Sequence, residues 1–147
     1  MQYCSKCGST VTLRIPADDT RERHVCDGCA TVHYLNPRNV VGTIPVWGEQ
    51  VLLCRRAIKP RHGFWTLPAG FMEIGESTTH GAARETLEEA GAHVEIGPLF
   101  SLINVPHVEQ VHLLYLASLP TPEFSAGEES LEVALFYEHE IPWSELA

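Results

Sequence analysis

The chain is poor in what a membrane-spanning, exported or nucleic-acid-coating protein needs. None of its 147 residues belongs to an apolar run long enough to cross a bilayer. The opening residues, MQYCSKCG, lack the apolar stretch of a signal peptide, so the sequence reads as that of a cytoplasmic protein. Basic residues are scarce: 10 Lys and Arg stand against 19 Asp and Glu, a formal charge of −9. That balance argues against broad binding to a nucleic-acid backbone, which needs clustered cations. It leaves room for a phosphorylated substrate, because a bound metal ion neutralises carboxylates and phosphates together. Repeats and low-complexity linkers are also missing. The length suits one core with a small appendage.

Of the five cysteines, four form two C-x2-C pairs, Cys4/Cys7 and Cys26/Cys29, with 18 residues between the pairs. In a reducing compartment this spacing points to one structural Zn²⁺ in a tetrahedron of thiolates; two disulfides are the competing reading. Residues 1–35 are too few to build a core without such a staple, and two short strands are predicted there, over Thr10–Ile15 and His24–Cys26. His24 and His33 are spare metal-binding groups, assigned to the surface or to the surroundings of the thiolates. A closed four-thiolate site has no open position for chemistry, so this module is structural or interactive. Asn36-Pro37 is the expected hinge to a second domain, residues 36–147. Cys54 stands alone in an apolar segment and reads as a small core residue.

The second domain is organised around Gly70–Ala92, GFMEIGESTTHGAARETLEEAGA. A helix is predicted here, capped by Ser77, Thr78 or Thr79 and ended by Gly91 in a left-handed conformation. Glu85, Glu88 and Glu89 then fall within about 100° of arc on one face. Three crowded like charges do nothing for an isolated helix. A hard divalent cation, which takes oxygen ligands, reverses that argument. Ala83, Thr86, Leu87 and Ala90 lie roughly opposite and are expected to pack on a sheet. Arg84 is placed to fix a carboxylate by hydrogen bonding.

Around this helix the apolar runs Val40–Trp47 and Gln50–Arg56 predict two strands turning at Gly48-Glu49. His93–Ile103, broken at Gly97-Pro98, and Val108–Leu119 predict two more. Leu131–Tyr137 reads as a last strand or a segment at a helix edge, and Ile141-Pro142-Trp143 as the lead into a helix. Ala57–Gly63, flanked by Arg55 and Arg56, is a basic loop, either a phosphate contact or simply solvated. Trp65, in FWTLPAGF, is a core residue or an aromatic platform for a base. Backbone carbonyls of that segment, Gly70 included, are further candidates for a hard cation.

The Gly70–Ala92 stretch resembles the Nudix box, G-x5-E-x7-R-E-U-x-E-E-x-G-U, with U a bulky aliphatic residue. Gly70, Glu76, Arg84, Glu85, Glu88, Glu89 and Gly91 match, and Thr86 and Ala92 depart at the two aliphatic positions. The preceding Gly63–Gly70 also matches the family pattern G-x-W-x-L-P-x-G. The resemblance implies an α/β fold, a Nudix α/β/α sandwich with a mixed sheet, preceded by a zinc ribbon. It implies Mg²⁺ or Mn²⁺ at Gly70, Glu85, Glu88 and Glu89, with Glu129 as an additional carboxylate. It implies catalysis by those four glutamates with Arg84; Trp65, Arg55 and Arg56 are the candidate substrate contacts read from the aromatic and basic residues themselves. The implied reaction is hydrolysis of the diphosphate in a nucleoside diphosphate-linked compound. The zinc-ribbon subgroup it resembles acts on ADP-ribose or FAD. Larger relatives acting on NADH carry Ser-Gln-Pro-Trp-Pro-Phe-Pro after the box, where this chain has SLINVPHVEQ. A non-catalytic nucleotide sensor and an NADH or NAD-cap pyrophosphatase are the alternatives. A homodimer would also be in keeping with the family.

Overall fold

The computed structural model describes residues 1–147, which divide into two compact units, Met1–Asn36 and Pro37–Ala147. The first unit is a three-stranded antiparallel sheet, β1 (Val11–Arg14), β2 (Arg23–Cys26) and β3 (Val32–His33), in that order. The two-residue β3 is too short to leave a sequence pattern. Only Cys4, Val25 and Cys26 form a buried apolar set here, confirming that the unit has almost no conventional core.

The second unit is a mixed sheet with one helix. Its main strand order is β10-β5-β4-β9-β8. β4 (Arg38–Trp47) and β5 (Gln50–Arg56) form a hairpin that turns at Gly48, whose φ of +60° suits glycine. β4 then pairs in parallel with β9 (Gln110–Ser118), which is antiparallel to β8 (Glu95–Val105). β10 (Ser130–Tyr137) is a true strand, closing the other edge on β5. The predicted break at Gly97-Pro98 is a register shift inside a continuous β8, since a bulge accommodates proline without ending the strand. FWTLPAGF contributes two short strands, β6 (Trp65–Thr66) on β5 and β7 (Ala69–Phe71) on β4. The expected helix after Ile141 is a single 3-10 turn, Trp143–Glu145.

Helix α1 (Thr78–Ala90) begins at Ser77, whose Oγ accepts the His80 amide, and ends at Gly91 with φ 58°. Its buried face is Gly81, Ala82, Glu85, Thr86, Glu89 and Ala90. Leu87, expected on that face, is 43 % exposed. The buried arc is centred between Ala82 and Glu89, so Glu89 lies at its middle, Glu85 within it, and Leu87 is turned out. Thr86 explains how a polar residue replaces an aliphatic one. It is fully buried, donates to Ala82 O at 2.8 Å and meets Thr43 Oγ1 of β4 at 2.6 Å. Two buried hydroxyls thus satisfy each other. Ala92 packs in the core with Leu52, Cys54, Ala90 and Leu119. No helix is long and apolar enough to cross a membrane.

Candidate functional site

In the first unit the four cysteine sulfurs lie within 4.8 Å of one another. Cys7 Sγ is 3.4 Å from both Cys26 and Cys29, and Cys4 Sγ is 3.8 Å from Cys29. Tetrahedral zinc–thiolate bonds of about 2.3 Å require sulfurs about 3.8 Å apart, whereas a disulfide requires about 2.05 Å. The arrangement therefore fits a zinc ion and not two disulfides. Backbone amides support the sulfurs: Lys6 donates to Cys4 Sγ at 3.4 Å, and Gly28 and Cys29 donate to Cys26 Sγ at 3.3 Å. His33 Nε2 lies 3.3 Å from Cys4 Sγ, beside the thiolates rather than among them.

In the second unit, β7 brings Gly70 against the start of the glutamate face. A Cβ at Gly70 would meet the Glu85 carboxylate, so glycine lets that side chain lie against the β7 backbone. Glu85 and Glu89 are each 8 % exposed, whereas the Glu88 side chain is 58 % exposed. Arg84 uses all five of its N–H donors. Nε and Nη2 clamp Glu76 at 3.0 and 2.8 Å. Nη1 reaches Glu85 at 2.8 Å and Glu88 at 3.0 Å, and Nη2 also reaches Phe71 O at 3.1 Å. Arg84 thus has no donor left for a phosphate, and in this geometry it is a positioning residue. Its guanidinium holds Glu76 down to about 2.

Glu89 is governed by the opposite effect. Burial pushes its carboxyl up to about 7, reinforced by the charges of Glu85 and Glu129 and opposed by the Ala69 amide, which donates to Oε2 at 3.0 Å. Glu85 is also raised, chiefly by burial. A cluster of half-desolvated carboxylates that push one another toward protonation is a donor set suited to a hard divalent cation. Arg84 and the Ala69 amide hold their oxygens at separate points.

These glutamates open on a cavity of about 1220 Å³. Glu128 and Glu129, from the loop before β10, line it with Glu85, Glu88 and Glu89. Arg56, Lys59 and Arg61 supply cationic groups to the same space. Arg55 does not join them. It donates to Gly63 O at 3.0 Å and pairs with Glu132 at 3.5 Å, contacts that hold its guanidinium away from the cavity. Glu132 is spent in that pair. Trp65 lines the cavity but is 7 % exposed, and its ring meets Phe136 edge-on at 4.9 Å, the environment of a core residue. Cys54 is buried and its thiol is pushed up to about 12, as expected of a core residue and not of a nucleophile. Sequence reasoning overlooked Glu128 and the Ala69 amide. Glu128 sits next to a recognised candidate, but the amide leaves no trace in a sequence.

Known proteins share both units. The family model for the Nudix N-terminal ribbon matches residues 2–35, and that for the NUDIX domain matches residues 36–145. A crystal structure of a NUDIX hydrolase from Nitrosomonas europaea is 55 % identical, with a TM-score of 0.96 over 100 % of this chain and 84 % of that one. The NAD-capped RNA hydrolase NudC of Photobacterium profundum is 30 % identical over 136 residues, 91 % of this chain and 48 % of its own length. The ADP-ribose pyrophosphatase of Methanocaldococcus jannaschii is 28 % identical over 115 residues, 74 % of this chain and 67 % of its own. The chain spans about half the length of the NudC relative it matches. With the ribbon, the mixed sheet and the box helix in place, the chain belongs to the Nudix family, in the branch that carries an N-terminal zinc ribbon.

Proposed function

We propose that the protein is a divalent-metal-dependent pyrophosphohydrolase that cuts the diphosphate of a nucleoside diphosphate-linked compound, ADP-ribose or FAD foremost. One observation carries this reading: carboxylates from α1 and from the Glu128–Glu129 loop share a cavity with Arg56, Lys59 and Arg61. At about 1220 Å³ that cavity exceeds the usual small-ligand range and has room for a dinucleotide.

Glu85, Glu88, Glu89, Glu129 and the Gly70 carbonyl would hold Mg²⁺ or Mn²⁺. When bound, such ions neutralise phosphate oxygens and acidify the attacking water. The protein's own part is largely positional. Arg84 keeps Glu85 and Glu88 extended toward the cavity, and the Ala69 amide fixes one oxygen of Glu89. One of the box glutamates or Glu129, where an oxygen is not taken up by the ion, would accept the proton of the water. Arg56, Lys59 and Arg61 meet the phosphates. In the ribbon, Cys4, Cys7, Cys26 and Cys29 would hold Zn²⁺ in a closed shell that takes no part in the reaction.

A second reading is removal of an NAD cap from RNA, supported by the name of the NudC relative and opposed by the charge of −9. The test is product analysis on ADP-ribose, FAD, NADH, NAD-capped RNA, diadenosine polyphosphates and nucleoside triphosphates, with Mg²⁺ and then Mn²⁺. AMP with ribose 5-phosphate or FMN is the expected result. Preference for the capped RNA would select the second reading, and no cleavage of any compound would refute both.

A further inference from the structure

A helix leaves its last four carbonyls without intrahelical partners. In α1 these are Leu87, Glu88, Glu89 and Ala90. The Gly91 amide takes Leu87 O at 2.9 Å, as in many helix ends. The next caps come from more than thirty residues along the chain. The Ser125 amide donates to Ala90 O at 2.8 Å, and the Gly127 amide to Glu89 O at 3.1 Å. Glu88 O lies directly against the α-carbon of Gly127. A Cβ built there would fall far inside the van der Waals contact distance of that oxygen and 2.9 Å from its carbonyl carbon. Gly127 is not among the glycines with positive φ. Closeness, not backbone conformation, demands glycine at this position.

The loop that caps the helix is also the loop that delivers Glu128 and Glu129. The Ser130 amide closes a turn on Gly127 O at 3.1 Å, and Glu129 O accepts the Ala57 amide at 2.8 Å. The backbone of Glu129 is therefore tied to α1 two residues earlier and to the end of β5 at its own carbonyl. The helix carboxylates and the loop carboxylates are parts of one hydrogen-bonded assembly.

We propose that Gly127 is a positioning residue for the metal site: its bare contact with Glu88 O registers the Ser125–Ser130 loop on the last turn of α1, so that Glu129 meets Glu85 and Glu89 at a shared cation. This rests on the assignment of Glu129 to the metal site made above. Any side chain at 127 lifts the loop from the helix, uncaps Glu89 O and carries Glu129 away from the other glutamates. A cap with no such role would affect the stability of the helix end and nothing else.

The two roles separate in a double-mutant cycle on the full chain. The readout is the Mn²⁺ dissociation constant from the electron paramagnetic resonance of free Mn²⁺, with thermal unfolding in parallel. Glu129→Gln alone tests the underlying assignment, and an expected weakening of at least fivefold sustains it. Gly127→Ala is expected to weaken Mn²⁺ by a similar factor, and to add nothing in the Glu129→Gln background. Should Gly127→Ala fail to fold, Ser125→Pro deletes the amide on Ala90 O and is expected to show the same coupling. Independent, multiplying losses in the double variant overturn the proposal. So does unchanged Mn²⁺ affinity in Gly127→Ala with a lowered melting temperature. Unchanged affinity in Glu129→Gln overturns the underlying assignment and the proposal with it.

Discussion

The ribbon gathers four cysteines and the box helix three glutamates, and they do so in opposite ways. The cysteine sulfurs converge to within 4.8 Å and are supported by amide donors, with Cys4 and Cys26 buried and Cys7 and Cys29 exposed. The glutamates are held apart, two by Arg84 and one by the Ala69 amide, and they face an open cavity. A site whose task is to replace a core is closed around its ion. A site whose task is chemistry keeps its ligands separately anchored and leaves room for substrate and water.

The largest effect should separate the two units. Removing zinc with a chelator withdraws an ion whose binding to such sites is worth about 10–16 kcal/mol. In an amide NMR spectrum the resonances of Met1–Asn36 should collapse toward random-coil positions, while those of Pro37–Ala147 stay dispersed. Retained dispersion in the ribbon would mean that its short sheet stands without metal. Next, Arg84→Lys replaces five directed donors by three on a single nitrogen. It should lower turnover by about 10–100-fold through misplacement of Glu85 and Glu88. Unchanged kcat would show that the glutamates hold their positions without the clamp.

Two smaller effects probe how the helix is seated. Thr86→Val leaves Thr43 with a buried, unpaired hydroxyl, at a cost of about 1–3 kcal/mol in urea unfolding. Valine at both positions should recover most of that loss, because neither hydroxyl is then stranded. A double variant as unstable as the single one would locate the effect in packing instead. The smallest effect concerns Glu76, whose carboxyl Arg84 holds at about 2 against an ordinary value of 4.5. The folded state prefers the ionised form, so its contribution is full above pH 4.5 and disappears as pH falls from there toward 2. Across that window the melting temperature of Glu76→Gln should fall less steeply with acidification than that of the unaltered protein.

How legible this molecule is from its sequence depends on whether a feature rests on side-chain identity or on chain approach. The box helix, its Ser77 cap, its Gly91 stop and the four-cysteine cluster are matters of residue type at fixed spacing, and each appears in the structure where expected. The strands β4, β5 and β9 carry long apolar runs and are equally plain. The short strands β3, β6 and β7 are not, since two or three residues hold no period. The helix orientation differs from expectation at Leu87, because hydrophobicity does not mark the buried face. Here a threonine pair and two glutamates occupy it. Arg55 and Arg56 are equivalent in the sequence, but Arg55 is held by Gly63 O and Glu132, and only Arg56 lines the cavity. The docking of the Ser125–Ser130 loop on α1 is made by backbone groups, which every sequence possesses.

The central claim is that the glutamates of α1 bind the divalent cation that a diphosphate hydrolase requires. The most direct measurement is of Glu88→Gln and Glu89→Gln, each assayed for cleavage of ADP-ribose or FAD, for Mn²⁺ affinity and for melting temperature. Turnover is expected to fall by about 10²–10⁴-fold and Mn²⁺ to bind more weakly, with the melting temperature retained. Unchanged turnover and Mn²⁺ affinity in both variants would contradict that claim.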